Sequence, residues 1–580
     1  MQLQKVWIGE KLVDDLGNTS GVLGNNLNGL EMLLGIDGFG HVETKSITPE
    51  ARPGHRPPVT YQTSPWRLNN ADGLYNPGAD EFARQLGSLV VPWNKALRIS
   101  VAGQNKEEIV YCVEKLESRA DAISVNVNCP NVGKDRLAVG QNPDLVREIV
   151  EAVRKVTRKP IFFKLSPVGD VAYIAQVAYA AGADGFIATN TIPGGTATLP
   201  DGRHILTNIV GGMSGAELYP RALECVGLVH SVLPDDATIL AAGGAYNART
   251  ISSFLAAGAK GVCIGTYLSG LDGRDGIQEW VNVVRADMRD GTDNASALFK
   301  PVNSEYHLAT ITEVSGKASD FKVLRTDQKI DAKSGQFVEV FIPGETERPF
   351  SVLDDDRFTI AVQTRGDFSG KLNSLKPGSQ FYFRGPYGRA LDVPQEASVV
   401  LVGGGSGSAG LYLMAKEFSK NRRARVTCLF GARDIDHIPY LDKFRQFARV
   451  YIATEDGSYR GSNGIKGNVT DLFDGPIKIR FPEGSLFYNC GPDAMLETAH
   501  RYELQLTGGR RENIVSSRER MMRCGGYMLC GSCIDDQGNI TCREPFISLG
   551  KLNKLYISLK NVDVWSRKRK VKKLKAKSQL

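Results

Sequence analysis

The stretch Ala122-Ile-Ser-Val-Asn-Val-Asn-Cys-Pro-Asn131 governs the interpretation of the first half of the chain, because an apolar run ends in a polar loop. The run 122–127 predicts a buried strand. The loop places the Cys129 thiol among the carboxamides of Asn126, Asn128 and Asn131, so it could offer a base, donors and acceptors to one small polar molecule. Alone, the loop is more typical of a turn around a buried cysteine, since free cysteine is often buried.

Predicted strands and helices alternate on both sides of this stretch. Further β-rich runs predict strands at 96–101, 161–165, 185–190, 238–242 and 261–265. Helical patterns occur at 79–86, 143–158, 170–182 and 247–258. Such alternation over about 300 residues indicates a parallel sheet, and this length suits an α/β fold of the (β/α)8 barrel type. A doubly wound open sheet is the alternative, but no first-turn Gly-x-Gly-x-x-Gly supports it.

Polar residues and glycines stand at the ends of these predicted strands, where the chemistry of such a barrel is found. They include Asn126, Lys164, Asn190, Thr191, Gly243, Gly244, Gly265 and Thr266. A lysine at the barrel mouth could stabilise an anionic reduced flavin. Backbone N–H groups at the two late glycine turns could hold a phosphate. Taken singly, each feature is also typical of a surface lysine or an ordinary turn.

Six motifs occur in one order along this half of the chain. They are Thr-Lys-Ser at 44–46, Asn-x-x-Gly-Leu-x-Asn-Pro-Gly at 70–78, Asn-x-x-Cys-Pro-Asn at 126–131, Phe-Lys-Leu-Ser-Pro at 163–167, Asn190-Thr191 and Gly-Gly-Met-Ser-Gly at 211–215. Together they resemble the catalytic subunit of class 1 dihydroorotate dehydrogenase over about residues 10–290. The resemblance implies an FMN-binding barrel that interconverts dihydroorotate and orotate in pyrimidine (UMP) biosynthesis.

The resemblance also implies roles for individual residues. Cys129 would be the base that removes the C5 proton, since a thiol with a pKa near 8.5 is a plausible base at cellular pH. The implied substrate residues are Lys45, Asn70, Gly73, Leu74, Asn126, Asn131, Asn190 and Thr191. The implied FMN residues are Ser20, Gly21, Lys45, Ser46, Ser100, Asn126, Lys164, Ser214, Gly215, Gly243, Gly244, Gly265 and Thr266. Departures from the usual pattern are Asn128, Ser100 and Asp72, the last a charge where an apolar residue is usual.

The alternation stops near 297–306, and short β runs at 337–342, 358–363 and 381–383 predict a small antiparallel β-barrel. This region contains Arg348-Pro349-Phe350-Ser351, whose guanidinium, aromatic ring and hydroxyl could meet a pyrophosphate and a flavin. A buried strand at 398–402 then leads into Gly403-Gly404-Gly405-Ser406-Gly407 and a helix, an arrangement that can hold a phosphate. Further strands are predicted at 426–430 and 449–453, and Cys490-Gly491-Pro492 follows another strand.

Four cysteines lie within nineteen residues, in the pattern Cys524-x5-Cys530-x2-Cys533-x8-Cys542. A close trio with a more distant fourth cysteine favours a 2Fe-2S cluster. Zinc is the alternative metal, although it usually takes two cysteine pairs. The order of flavin barrel, nucleotide-binding sheet and cysteine motif resembles the electron-transfer subunit of class 1B dihydroorotate dehydrogenase over about residues 300–548. Five residues separate the first two cysteines where four are usual, and Gly410 stands where proline is common.

Both resemblances together predict a fusion of catalytic and electron-transfer subunits, with electrons passing from FMN to the 2Fe-2S cluster, FAD and NAD+. FAD is assigned to Arg348, Pro349, Phe350 and Ser351, dinucleotide binding also to Gly403, Gly404, Gly405 and Gly407, and the cluster to Cys524, Cys530, Cys533 and Cys542. The predicted domains are an FMN barrel (1–299), an FAD-binding β-barrel (300–392), an NAD-binding α/β domain (393–510), a cluster domain (511–550) and a basic tail (551–580). A related enzyme acting on another pyrimidine-like ring such as uracil is the alternative.

Composition limits the partners and the setting. The net charge of +7 arises in residues 551–580, which hold eleven Lys and Arg and one Asp, so the remainder carries −3. Nucleic-acid binding is therefore expected at most through this tail, for which a solvated end is the simpler interpretation. The ten cysteines do not form a secreted disulfide pattern. No apolar leader or run of about 18 apolar residues occurs, which predicts a cytoplasmic protein without membrane contact. The resemblance implies a dimer through the barrel.

Overall fold

The computed structural model describes residues 5–127, 139–392, 398–421, 424–518 and 520–551. Its first half is a closed barrel of eight parallel strands in chain order, which confirms the predicted (β/α)8 fold. The barrel strands are Leu16–Asn18, Phe39–Glu43, Ala96–Val101, Ala122–Val125, Ile161–Lys164, Gly185–Ala188, Thr238–Ala242 and Gly261–Ile264. Six match predicted strands to within two residues. The first two escape prediction because one has three residues and the other buries His41 and Glu43 among few apolar positions.

Within the described residues, a helix of eight or more residues lies between each barrel strand and the next, and another follows the last strand. The helices are Leu27–Leu34, Ala79–Leu86, Lys106–Leu116, Pro143–Val156, Val171–Ala180, Tyr219–Val232, Ala248–Ala256 and Gly273–Asp290. Asparagine side chains at 26, 105, 142 and 247 accept a hydrogen bond from the first turn of the following helix. Such caps satisfy backbone N–H groups that have no partner inside the helix. The sequence thus fixes where several helices begin.

Additional strands cover the two ends of the barrel. The antiparallel hairpin Lys5–Ile8 and Lys11–Asp14 packs Val6, Ile8 and Val13 against Phe162 in the barrel interior. At the opposite end, a four-stranded sheet is formed by Thr60–Ser64, Arg67–Asn70, Ile192–Gly195 and Gly211–Ser214. This second sheet brings two insertions together above the carboxyl ends of the barrel strands, where the active site of such a fold lies.

The predicted antiparallel module is a six-stranded sheet. In sheet order its strands are Glu347–Ser351, Phe337–Phe341, Gln380–Tyr387, His307–Ser315, Phe321–Thr326 and Thr359–Gln363. A short helix, Asp367–Asn373, follows the strand Thr359–Gln363 in the chain. All six strands contribute apolar side chains to one core, including Val338, Ile360 and Phe383, with Phe350 packed against its edge. The module therefore curls around its own interior, as a small barrel does.

The third unit is a seven-stranded sheet, parallel except for its last strand. In order its strands are Gly464–Lys466, Arg449–Thr454, Arg425–Ala432, Ser398–Gly404, Leu486–Cys490, Ile514–Ser517 and Phe546–Ser548. The helices Tyr412–Phe418, Leu441–Phe444 and Asp493–Leu506 connect these strands. Strand order reverses between Ser398–Gly404 and Leu486–Cys490, which is where doubly wound sheets bind ligands.

The cysteine segment leaves this sheet after Ile514–Ser517 and returns to it at Phe546–Ser548. The cysteine segment is thus inserted between two strands of the sheet. Both strands fall within the predicted cluster domain (511–550). Its apolar residues Met528, Leu529 and Ile534 pack into the hydrophobic core of the barrel rather than into the sheet. Within the described ranges, no helix combines the length and apolar character needed to cross a bilayer. Residues 552–580, most of the basic tail, lie outside the described residues.

Candidate active site

One cavity at the mouth of the barrel gathers most of the residues that the sequence assigns to FMN and substrate. Its wall includes Ser20, Gly21, Lys45, Ser46, Asn70, Leu74, Asn126, Lys164, Asn190, Thr191, Ser214, Gly215, Gly243, Gly244, Gly265 and Thr266. Gly73 and Ser100 are not part of this wall, but Gly73 is next to the wall residue Leu74 and Ser100 contacts Ser46. The proposed base Cys129 and the proposed ligand Asn131 lie outside the described residues. The strand ends therefore converge on one cavity, as a parallel barrel requires.

A chain of hydrogen bonds crosses one side of the cavity. Asn190 Nδ2 donates to Asn126 Oδ1 at 3.2 Å, and Asn126 Nδ2 donates to Ser46 Oγ at 2.9 Å. The Ser46 hydroxyl also contacts Ser100 Oγ at 2.8 Å and Ser20 Oγ at 3.2 Å. Because these contacts orient each carboxamide, the side chains present fixed donors and acceptors to a ligand.

The loop after Asn70 forms a second side of the cavity. Asn70 ends the strand Arg67–Asn70 and donates to the Gly212 carbonyl at 3.3 Å. Gly73 and Leu74 both have positive φ angles, 73° and 57°. Asn76 holds this turn, because its Nδ2 donates to the Leu74 carbonyl at 2.7 Å and to Thr48 Oγ1 at 2.8 Å. The polar pattern at 70–78 thus builds a fixed turn as well as supplying possible ligands.

Glycines and a lysine shape the far end of the cavity. Lys164 ends its barrel strand and is 5% exposed. Gly215 has φ 106°, and a Cβ there would lie 2.2 Å from the Trp66 carbonyl oxygen. Gly244 has φ 81°, and a Cβ there would lie 2.8 Å from the Tyr219 backbone nitrogen. Only glycine fits such positions. These turns bring backbone close to the cavity, as binding of a flavin phosphate would require.

Aromatic residues line this end too, and the sequence motifs do not predict them. Trp66 stacks on Phe299 with ring centroids 5.4 Å apart, and Phe299 stacks on Tyr267 at 4.8 Å. Tyr246 lies against Trp66 at 5.5 Å. All four rings border the cavity. They come from separate loops, and no local spacing signals that they meet.

The cysteine segment borders the same cavity. Cys524, Leu529 and Cys530 form part of its wall. The Leu23 backbone N–H donates to the Leu529 carbonyl at 2.7 Å, and Asn26 Nδ2 donates to the Gly531 carbonyl at 3.0 Å. A Cβ on Gly531 would lie 2.5 Å from the Leu23 carbonyl oxygen. This close docking places two of the predicted metal ligands beside the predicted flavin site.

The four cysteines are buried and associate in two pairs. A hydrogen bond with Cys524 lowers the pKa of Cys530, and a hydrogen bond with Cys533 lowers the pKa of Cys542. The same hydrogen bonds raise the pKa of Cys524 and of Cys533, as expected when two thiols share one proton. Positive φ angles at Gly525, Gly526 and Met528 form the longer loop between the first two cysteines.

Asp72 has two cationic partners. One carboxylate oxygen accepts from the Lys45 ammonium, and the other accepts from Arg523 at 3.1 Å. Burial alone would raise the pKa of Asp72, but the charges of Lys45 and Arg523 outweigh it and hold the pKa below its usual value of 3.8. The sequence marks Asp72 only as a departure and does not assign Arg523 a role. A cation beside a cluster cysteine is the one signal that could have drawn attention to Arg523.

A second cavity contains the residues assigned to FAD. Its wall includes Arg348, Pro349, Phe350 and Ser351 from the six-stranded sheet, and Gly407 and Cys490 from the seven-stranded sheet. The strand Ser398–Gly404 ends with Gly403 and Gly404, and Gly405 begins the turn that follows. None of these three glycines is part of this wall. A Cβ on Gly410 would lie 3.1 Å from Ser351 Oγ and 3.5 Å from Cys490 Sγ. The backbone of the turn thus lies against Ser351 of the six-stranded sheet here.

A third cavity lies on the other side of the same strand. Pro349, Phe350 and Ser351 border it together with Met522 and Pro545 from the two ends of the cysteine segment. The predicted FAD residues therefore border both the second cavity and the cavity next to the cysteine segment.

Comparison with known proteins agrees with both halves of this arrangement. The family model described as dihydroorotate dehydrogenase matches residues 2–279. The catalytic subunit of dihydroorotate dehydrogenase B (NAD(+)) from Thermoanaerobacter pseudethanolicus is 32% identical over 268 residues, which cover 46% of this chain and 87% of that protein. The corresponding subunit of Pyrococcus horikoshii is 38% identical over 237 residues, 40% of this chain and 77% of that protein.

A different protein of Pyrococcus horikoshii is also similar. The probable electron transfer subunit of dihydroorotate dehydrogenase B (NAD(+)) is 37% identical over 224 residues, which cover 39% of this chain and 82% of that protein. The chain is therefore similar to both subunits of that enzyme, and it belongs to the dihydroorotate dehydrogenase family.

Proposed function

We propose that this chain is an NAD+-linked dihydroorotate dehydrogenase of pyrimidine biosynthesis, with the catalytic and electron-transfer functions fused. The observation that carries the proposal is the shared cavity of the barrel. Lys45, Asn126 and Lys164 line it from the first half, and Cys524 and Cys530 line it from the second. A flavin site beside a metal cluster is what electron transfer out of the barrel needs.

The barrel cavity suits a flat ring with carbonyls, N–H groups and a carboxylate. Asn70, Asn126 and Asn190 supply donors and acceptors without charge. Lys45 can attract the carboxylate, and Lys164, with the glycine turns, suits a flavin and its phosphate. When bound, FMN would accept the hydride from C6 of dihydroorotate. Cys129 is the proposed base for the C5 proton and Asn131 a proposed ligand; both lie outside the described residues.

The cysteine arrangement supports a 2Fe-2S cluster over zinc. Four thiolates on one zinc ion lie about 3.8 Å apart, as a tetrahedral site with Zn–S of about 2.3 Å demands. Within the described ranges, no three cysteine sulfurs lie within 4.8 Å of one another. Two separate pairs, Cys524 with Cys530 and Cys533 with Cys542, suit two iron atoms that each take two thiolates.

The remaining cofactors are assigned to the second half. Arg348, Pro349, Phe350 and Ser351 would hold FAD, since a guanidinium suits pyrophosphate and the aromatic ring suits a flavin. The crevice at the strand-order reversal, with Gly403, Gly404, Gly405 and Gly407, would hold the NAD+ diphosphate. The proposal also includes a cytoplasmic setting and a dimer formed through the barrel.

The test is turnover by purified, cofactor-loaded protein. Dihydroorotate should reduce NAD+, and the preparation should release FMN and FAD in equal amounts together with iron. Dihydrouracil serves as the matched substrate, because its ring lacks only the carboxylate. Failure to reduce NAD+ with dihydroorotate while all cofactors are present would sink the proposal. Faster turnover of dihydrouracil would support the related enzyme that acts on an uncharged ring.

A further inference from the structure

Arg523 is the most completely bound side chain between the cysteine segment and the barrel. Its guanidinium donates to the carbonyls of Pro53 at 3.1 Å and His55 at 3.0 Å, and to the Asp72 carboxylate at 3.1 Å. It also lies over the Tyr75 ring, 4.3 Å from the centroid. The side chain is 7% exposed. These contacts are to two barrel loops, one with Pro53 and His55 and one with Asp72 and Tyr75, and the second loop also brings Leu74 into the cavity wall.

The carboxylate between Arg523 and Lys45 alters the charge of the cavity. Lys45 and Asp72 both border it, and they form an ion pair that carries no net charge. Arg523 binds the other oxygen of the same carboxylate, so the three groups together carry a net charge of +1. With apolar residues at both positions 72 and 523, Lys45 alone would give the same net charge of +1. Arg523 therefore compensates for Asp72.

The compensation comes from a distant part of the sequence, since Arg523 lies 451 residues beyond Asp72 and directly before Cys524. In a partly buried site, the neutral Lys45–Asp72 pair alone would hold an anionic ring less tightly than the three groups with one positive charge. An uncharged ring would be held about equally by both.

We propose that Arg523 is a positioning residue that keeps Lys45 available to the carboxylate of the substrate. The substrate preference of the barrel would then depend on the cysteine segment as well as on the barrel's own residues. This inference rests on the proposed function, because it concerns the anionic substrate of the same site.

Orotate binding to the cofactor-loaded protein tests the inference, measured as the change in flavin absorbance on titration. R523M should raise the dissociation constant for orotate roughly tenfold or more, as loss of one charge-assisted contact would. The affinity for uracil should change by less than about threefold. The double variant D72M/R523M restores the charge of Lys45 and should recover orotate affinity to within about threefold of the wild type.

A matched control is R543M. Arg543 is also next to one of the four cysteines, Cys542, and donates to a barrel carbonyl, that of Ser269, but it has no acid in common with Lys45. Orotate affinity should survive this change. Iron content and the visible spectrum report whether each variant retains its cluster. R523K keeps the charge without the guanidinium fork, so it decides the question if R523M fails to fold.

The results separate the two proposals. If the wild type binds no orotate, the proposed function fails. If the wild type binds orotate, then weak binding by both R523M and D72M/R523M overturns the inference, because restored charge would not have restored affinity. Equal losses for orotate and uracil, or a tenfold loss in R523K, also overturn it. Recovery in the double variant supports it.

Discussion

Two buried arginines hold the cysteine segment, one on each side. Arg523 belongs to the segment and reaches out to the loops of the barrel. Arg384 belongs to the six-stranded sheet and reaches into the segment, where it donates to the Gly525 carbonyl at 2.9 Å. Both bind a carboxylate, and both lie over an aromatic ring.

The acids that these arginines bind have different second partners. Asp72 also binds Lys45, which lines the substrate cavity. Glu347 also accepts a hydrogen bond from the Tyr306 hydroxyl at 2.6 Å, inside the packed interior. Similar contacts therefore have different consequences: Arg384 stabilises the packing of the cysteine segment, whereas we propose that Arg523 also sets the charge of a binding site. The role of each arginine therefore depends on the other group that its acid binds, which is Lys45 for Asp72 and Tyr306 for Glu347.

R384M should have the largest effect on stability. Arg384 and Glu347 are almost fully buried, and the arginine forms two hydrogen bonds to the carboxylate. Removing one member leaves a buried charge without its partner, which costs about 3–5 kcal/mol. Urea unfolding should show this loss. E347Q/R384M removes both charges and should recover much of it; a double variant as unstable as R384M would contradict the assignment.

C530S should affect electron transfer more than folding. Cys530 is buried, and serine is close to it in size. Loss of one thiolate should remove the iron absorbance and lower dihydroorotate-dependent NAD+ reduction by more than about 100-fold, since ligation needs four thiolates. Reduction of FMN by dihydroorotate under anaerobic conditions should persist. Loss of this flavin reduction as well would mean that Cys530 supports the barrel site directly.

Local patterns in the sequence predict much of this arrangement. Apolar runs place strands such as Ala96–Val101 and Thr238–Ala242 at their observed bounds. The cysteine spacing identifies Cys524 to Cys542 as one group, and strand ends predict Asn126, Lys164 and Asn190. Each of these patterns involves residues that are close together in the chain, so it can be recognised in a single sequence.

Such local patterns do not predict contacts between segments that are far apart in the chain. Asp72 stands out only as a departure from the family pattern and Arg523 looks like an ordinary charged residue, and only folding shows that they meet. Phe299 likewise has no local feature that predicts its contact with Trp66 and Tyr267. The insertion of the cysteine segment into the seven-stranded sheet is equally non-local, because it depends on the pairing of Ile514–Ser517 with Phe546–Ser548.

D72N should show how much the contacts of Asp72 with Arg523 and Lys45 stabilise the fold, through the pH dependence of unfolding. The pKa of Asp72 is lower in the folded protein than its usual 3.8, so its ionised form stabilises the fold above that value. This contribution is lost as pH falls through the lower, folded pKa. D72N should therefore be about 1–2 kcal/mol less stable than the wild type at pH 7, with the difference vanishing in strong acid. Urea midpoints measured across this range check it, and a constant difference would contradict it.

Y527F should have the smallest effect on stability. Tyr527 belongs to the cysteine segment and contacts both Arg384 and the barrel. The Tyr527 ring lies under Arg384, 4.9 Å from the guanidinium carbon, and its hydroxyl accepts a hydrogen bond from the Gln62 backbone N–H of the barrel at 3.1 Å. Phenylalanine keeps the ring contact and removes the acceptor, so stability should fall by about 0.5–1 kcal/mol. Y527L removes both and should cost more. Equal losses in the two variants would show that the ring contact with Arg384 contributes little, and that the segment is held on that side by the Arg384 hydrogen bonds alone.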